Sequence, residues 1–148
     1  MAAQAWKLYT KAIKKIGNGT IDLPGAVRIA LVGSGSNFAT ATISLFGSIT
    51  DQVTSGNGYS TSGKTLASEA WTVSGTAVKF DVADPIFTAS GGAIASIKAA
   101  VLFMSGAAAG SCHALAYASL TSTQFTLASG NTLTLQMNSA GVFVAANG

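Results

Sequence analysis

The sequence contains unusually few charged residues. Only 9% of its 148 residues are Asp, Glu, Lys or Arg, against about 25% in a typical globular protein. Intrinsic disorder is excluded, because disordered chains are poor in apolar residues and this one is 49% hydrophobic. No stretch approaches the roughly 18 consecutive apolar residues of a membrane-spanning helix. A surface this poor in charge is typical of a chain that works inside a larger assembly.

Cysteine and targeting signals are also scarce. Cys112 is the one cysteine, so an intrachain disulfide is excluded. The N-terminus lacks the apolar core and cleavage site of a secretion signal, which predicts a protein made and retained in the cytoplasm. The net charge is +3, and half of the basic residues fall within residues 1–15. The remainder is close to neutral, so the sequence predicts neither nucleic acid nor a membrane as a partner.

The N-terminal segment carries the one convincing helical period, over residues 5–16. Its apolar face has spacings of three and four and consists of Trp6, Tyr9, Ile13 and Ile16. Its basic face consists of Lys7, Lys11, Lys14 and Lys15. Gly17 is expected to end the helix in the left-handed conformation. We predict an amphipathic helix or arm over residues 1–19, which packs on its own domain or docks onto a partner, with Trp6 as its anchor.

From Thr20 onward the apolar period is two. Residues 26–32 are typical of a buried strand, and residues 132–137 alternate, with Leu133, Leu135 and Met137 facing inward. About eight to ten such strands, with turn signals every 8–12 residues, predict an all-β fold. We predict one domain over residues 20–148, a β-sandwich of jelly-roll-like form, although the pattern alone leaves the strand connectivity open.

Residues 58–65, Gly-Tyr-Ser-Thr-Ser-Gly-Lys-Thr, match the phosphate-binding P-loop expression. That motif needs a buried strand before it and a helix that begins at the lysine. Here the preceding residues are polar, and the following residues lead into a strand pattern. These flanking residues therefore predict that the segment is a glycine-rich surface loop that binds no nucleotide cofactor.

Candidate catalytic and metal-binding groups do not converge in the sequence. Cys112 and His113 are adjacent on a predicted strand, so they face opposite sides and cannot form a nucleophile–base pair. One cysteine and one histidine are too few for an ordinary metal cluster. The five carboxylates show no facing pair of the kind a glycosidase uses. We predict no catalytic, cofactor-binding or metal-binding residues, and therefore no enzyme.

Several motifs, taken in order, resemble small virion proteins of tailed bacteriophages. The basic N-terminal segment runs into Ile-Gly-Asn-Gly-Thr-Ile-Asp-Leu at residues 16–23. Gly-Asn-Gly-Tyr at 56–59 and Gly-Lys-Thr-Leu at 63–66 follow. Further matches in order are Trp71-Thr72, residues 80–84, the turn at 88–92 and residues 130–133. The resemblance runs over most of the chain, but residues 99–118 are richer in Ala, Gly and Ser than in relatives.

The resemblance implies a head decoration, or cement, protein on the surface of a phage capsid, made in the host cytoplasm. Such a protein would bridge subunits of the major capsid protein and associate with itself as a dimer or trimer. We expect the N-terminal helix and the 56–65 loop to contact partners, through Trp6, Lys7, Tyr9, Lys11, Asn57, Tyr59 and Lys64. The alternative is a tail or receptor-binding accessory protein.

Overall fold

The computed structural model describes residues 5–105 and 111–146. Their fold is all-β with one short N-terminal helix, which confirms the predicted class. The elements in chain order are β1 (Lys7–Leu8), α1 (Thr10–Gly17), β2 (Val27–Val32), a 3-10 turn (Phe46–Ser48), β3 (Lys64–Thr65), β4 (Ala70–Ser74), β5 (Ala77–Asp81), β6 (Ile86–Thr88), β7 (Ile94–Ile97), β8 (Ala99–Met104), β9 (His113–Ser119), β10 (Phe125–Leu127), β11 (Thr132–Thr134) and β12 (Phe143–Ala146). No helix in this part of the chain is long and apolar enough to cross a bilayer.

Antiparallel pairing organises the strands into one large sheet and three small ones. The large sheet has the order β1-β9-β8-β2-β3, and a three-stranded sheet has the order β12-β5-β4. The remaining strands form the pairs β10-β7 and β11-β6. β1 and β3 are therefore the two outer strands of the large sheet.

The large sheet is buried on both faces, which explains the nearly continuous apolar runs of β2 and β8. One face is covered by aromatic residues: the ring of Phe46 lies 3.9 Å from that of Phe103 on β8. Ile29 and Leu102 are a registered pair on the opposite face. They belong to one core cluster with Phe80 and other residues of the smaller sheets. The four sheets thus share a single core.

The apolar stretch at residues 94–104 forms two strands, β7 and β8. Ser96 has a positive φ of 63°, and the Lys98 backbone N–H donates to the carbonyl of Val32 at 2.9 Å. The Lys98 ammonium donates to the carbonyls of Thr121 and Ser122. The chain changes direction here, so β8 stays in the large sheet while β7 pairs with β10.

The N-terminal segment differs from the prediction of a helix over residues 5–16. Lys7 and Leu8 form a strand paired with Tyr117 and Ala116 of β9, and the helix begins only at Thr10. Hydrogen bonding to an outer strand competes with helix formation in this short segment. Residues 1–4 of the predicted arm, and 147–148 of the predicted domain, lie outside the described residues.

The packed face of α1 is also rotated from the predicted one. Ala12 is completely buried, whereas Ile13, predicted to pack inward, is 55% exposed. Gly17 is the last helical residue, and Gly19 takes the positive φ, at 76°. The helix is shorter than predicted, so its orientation follows from its contacts with β9 rather than from its own periodicity.

Candidate functional site

The first set of predicted contact residues lies at the β1 edge of the large sheet. Within residues 5–105 and 111–146, β1 pairs only with β9, so no described strand lies on its other side. Lys7 on β1 and Lys11 on α1 are exposed. Trp6 is half-buried against the core, and its indole N–H is buried without a hydrogen-bond partner in the described residues. This edge therefore presents the exposed side chain of Lys7 next to a half-buried tryptophan.

Tyr9 is part of the core rather than of the surface. Its side chain is completely buried, and its hydroxyl donates to the carbonyl of Phe38 at 2.7 Å. Its ring lies 4.9 Å from that of Tyr117. Burial raises the pKa of the Tyr9 phenol far above its usual value, and the neighbouring Tyr117 adds to the shift. The side chain of Tyr9 is not available to a partner and fixes the helix to β9 instead.

A cluster that sequence reasoning missed joins α1 to β9. The Lys15 ammonium donates to His113 Nδ1 at 2.8 Å and to Ser44 Oγ at 2.9 Å. Burial lowers the pKa of His113, and the positive charge of Lys15 lowers it further. Burial and the nearby Lys11 lower the pKa of Lys15. No sequence signal brings together residues 98 positions apart.

The second set of predicted contact residues lies in the 56–65 loop. The Asn57 side-chain amide donates to the carbonyl of Ala93 at 2.7 Å. The Asn57 backbone carbonyl accepts from the Ser90 N–H at 2.9 Å. Gly58 has a φ of 87° and approaches the Thr88 carbonyl so closely that a side chain would clash. The loop is thus held against the end of β6, with Asn57 exposed.

Tyr59 is a buried support for this loop. It is only 6% exposed, and its hydroxyl accepts from the Leu31 backbone N–H at 2.8 Å. Burial raises the pKa of Tyr59 to about 12. Like Tyr9, it is left out of the contact surface, because its side chain cannot reach a partner.

Lys64 lies on β3, at the opposite edge of the large sheet. Its exposed ammonium donates to the carbonyl of Ile86 at 2.8 Å, beside a cleft of about 280 Å³ between the loop and β6. Lys64 and Thr65 form a strand, where a P-loop needs the start of a helix. The N–H of Gly63 is used within the loop, on the carbonyl of Ser60. The match to the P-loop expression therefore does not form that motif's phosphate cradle.

One lysine from each set of predicted contact residues lies on an outer strand of the large sheet, at opposite edges. β1 and β3 are separated by three intervening strands, and strands are spaced about 4.8 Å apart, so the two edges are about 19 Å apart. Lys7 on β1 and Lys64 on β3 are both exposed, one at each edge.

Carboxylates in the described part of the chain cap backbone groups. Glu69 accepts from the Val27 N–H at 3.1 Å, and burial raises its pKa. Asp84 accepts from the Met137 N–H at 2.7 Å. Asp81 pairs with Lys79 at 3.4 Å. Across residues 5–105 and 111–146, no group of three or more His, Cys, Asp or Glu side chains could hold a metal ion.

Large apolar side chains are also exposed, at separate places in the fold. Val73 on β4, the outer strand of the three-stranded sheet, is 78% exposed. Ile86 beside Lys64 and Val144 on β12 are also exposed.

Comparisons of the chain with protein-family models, with curated proteins and with solved structures find no match.

Proposed function

We propose that this chain is a structural protein of a phage virion, which decorates the capsid and bridges neighbouring subunits of the major capsid protein. The ordered motifs that resemble tailed-phage virion proteins support the assignment to a virion. The bridging role depends on one observation: two exposed lysines among the contact residues, Lys7 and Lys64, lie on the two opposite outer strands of a single sheet.

The large sheet is suited to transmit force between its two edges. Its central strands β2 and β8 are almost entirely buried, and close-packed interiors deform little. Outer strands present unpaired backbone N–H and C=O groups to a partner. Lys7 and Lys64 add a positive charge to each edge, which favours acidic patches on the two subunits. A rigid body attached at both edges would hold those subunits at a fixed separation.

Bridging stabilises a shell by mass action. A molecule that binds only the assembled arrangement of two subunits shifts the equilibrium toward assembly. A typical stable interface buries about 1,600 Å², and many symmetry-related copies act together. The low overall charge and the exposed Val73 are consistent with a chain whose surface is partly covered by other proteins. Self-association as a dimer or trimer would add a further contact.

The test uses expanded capsids from particles that lack this protein. Purified chain is added back, and two readings are taken: the amount bound and the temperature at which the capsids break. Lys7→Glu and Lys64→Glu each alter one edge, and Lys14→Glu makes the same charge change at an exposed lysine outside the proposed contacts. We expect both edge variants still to bind, with affinity reduced about 3- to 10-fold, but to lose most of the heat protection. Lys14→Glu should protect as the unmodified chain does.

Two results would contradict bridging. One is full heat protection by both edge variants at the occupancy of the unmodified chain, since weakening either edge of a bridge should weaken the joint that it spans. The other is failure of the unmodified chain to bind expanded capsids. The number of copies per particle separates the tail alternative: hundreds of copies place the chain on the shell, and about a dozen place it on a tail organelle.

A further inference from the structure

A second cleft, of about 300 Å³, lies beside the one arginine of the sequence. Arg28 on β2 lines it together with Phe46, Phe103, Gln52, Ser62 and Cys112. This cleft shares none of the contact residues assigned above to the two sheet edges. Its volume falls at the lower end of the range for small-molecule sites, about 300–1,000 Å³.

No carboxylate of the described residues pairs with Arg28. The one ion pair in the described residues joins Lys79 and Asp81. The Arg28 guanidinium donates through Nη2 to the carbonyl of Gly63 at 2.9 Å, and to Ser62 Oγ at a marginal 3.5 Å. Its Nε–H is shielded from solvent and has no hydrogen-bond partner in the described part of the chain. Since no solvent-sized atom reaches Nε, an anion can meet this guanidinium only at its terminal Nη groups.

An aromatic platform lies next to this guanidinium. The rings of Phe46 and Phe103 are stacked, with their centroids 3.9 Å apart and their planes within 5°. Phe103 faces Arg28 across the register of β2 and β8. The cleft therefore combines an apolar wall with a planar cationic group.

We propose that this cleft binds a carboxylate carried on a small apolar or aromatic body. The guanidinium takes the carboxylate through charge-assisted hydrogen bonds, for which its planar fork is well suited. The apolar body of the ligand packs against Phe46 and Phe103. Inorganic phosphate would meet the same guanidinium but would gain nothing from the aromatic wall. The proposal goes beyond the bridging function and does not depend on it.

The single arginine gives an unambiguous reporter. The protein has one arginine Nε–H signal in a nitrogen-15 NMR spectrum, and it belongs to Arg28. Benzoate is the probe, because it joins a carboxylate to a flat apolar ring. We expect a saturable downfield shift of the Arg28 Nε–H, with a Kd in the millimolar range or tighter. Benzamide, which has the same shape without the charge, and inorganic phosphate should each bind at least tenfold more weakly.

Variants separate the guanidinium from the rest of the fold. Arg28→Lys keeps the charge and removes the fork, and we expect at least a tenfold loss of benzoate affinity, read from the backbone amides of Gln52 and Phe103. Lys14→Gln, which removes a charge at an exposed lysine outside the cleft, is the control and should bind benzoate normally. If Arg28→Lys fails to fold, Phe46→Leu serves instead, and it should weaken benzoate at least threefold with Arg28 intact.

Two arms distinguish the source of the carboxylate. A short capped peptide with one central glutamate between leucines is compared with the same peptide carrying glutamine. If the glutamate peptide binds with a lower Kd than benzoate, the carboxylate is assigned to a protein side chain. If only benzoate saturates the cleft, the carboxylate is assigned to a small molecule. The proposal is overturned if neither probe saturates, if benzamide binds as well as benzoate, or if Lys14→Gln lowers the affinity as much as Arg28→Lys.

Discussion

At the scale of single residues, the contact between Lys15 and His113 joins α1 to β9. His113 accepts a hydrogen bond from the Lys15 ammonium through Nδ1, so the neutral ring carries its proton on Nε2. Protonation of His113 would place two positive charges 2.8 Å apart, with Lys11 also close enough to disfavour charge on Lys15. The contact that holds α1 against β9 therefore exists only with a neutral imidazole.

This contact predicts a pH dependence of stability. The folded pKa of His113 is lowered, so below its ordinary value of about 6.5 the unfolded chain binds more protons than the folded one. The free energy of unfolding should fall as the pH drops from 7 through this window and level off below the folded pKa. The slope for one proton is at most about 1.4 kcal/mol per pH unit. Urea unfolding from pH 7 to pH 5 measures it.

His113→Gln is the control variant for this dependence. The glutamine amide oxygen can still accept from Lys15, but it does not titrate. The raised pKa of Glu69 acts in the opposite direction at acid pH, since its folded carboxyl binds the proton more readily, and it does so in both proteins. The difference between the two curves therefore isolates His113. Parallel curves would contradict the role assigned to this residue.

At the scale of elements, α1 is a short helix whose position is set by one small buried side chain. Ala12 is completely buried and Ile13 is 55% exposed, so the helix approaches β9 closely at Ala12. Tyr9, directly before the helix, donates its backbone N–H to the carbonyl of Leu115 at 3.1 Å. The turn from strand β1 to helix α1 is thus fastened at its junction.

A pair of substitutions tests this orientation. Ala12→Val adds two methyl groups where there is no room, and overpacking should destabilise the protein by about 1–3 kcal/mol. Ile13→Ala removes an exposed side chain and raises helix propensity, so its effect should stay within about 0.5 kcal/mol. Chemical denaturation of the two variants measures both values. A large cost at Ile13 with none at Ala12 would restore the face predicted from periodicity.

At the scale of the whole molecule, the four sheets share one core. Residues of the large sheet, such as Leu102, cluster with Phe80 of the three-stranded sheet and Leu133 of β11. Tyr9 and Ala12 of the N-terminal segment belong to the same cluster. A separate N-terminal arm and β domain would have separate cores, so residues 5–19 are expected to unfold with the rest.

The two tryptophans test this cooperativity. Trp6 lies at the N-terminal edge, and the ring of Trp71 is 6.0 Å from that of Phe143 in the three-stranded sheet. Trp71→Phe and Trp6→Phe each leave one fluorescent reporter. Within each variant, we expect the fluorescence transition to coincide with that of far-UV circular dichroism, as in two-state unfolding. A separate, earlier transition of Trp6 would show that the arm is independent of the domain.

The sequence by itself determined the class of the fold and much of its local detail. Leu133 and Leu135 alternate with polar residues, and both are buried. This alternation and the apolar run of β2 can be recognised from neighbouring residues along the chain. The glycine-rich character of the 56–65 loop was also local. Such features follow from backbone preferences and from the alternation of faces, which act over a few residues.

Only the tertiary structure decided the pairing of distant segments. The strand at Lys7–Leu8 exists because β9 offers it hydrogen-bond partners more than 100 positions away, and no local pattern encodes that. Tertiary structure also decides three further features: the burial of Tyr9 and Tyr59, the Lys15–His113 contact, and the position of Arg28 away from the carboxylates of the described residues. The placement of Lys7 and Lys64 on opposite edges follows from the order of strands in the sheet. That order is fixed by packing of the whole core, so it appears only once the chain has folded.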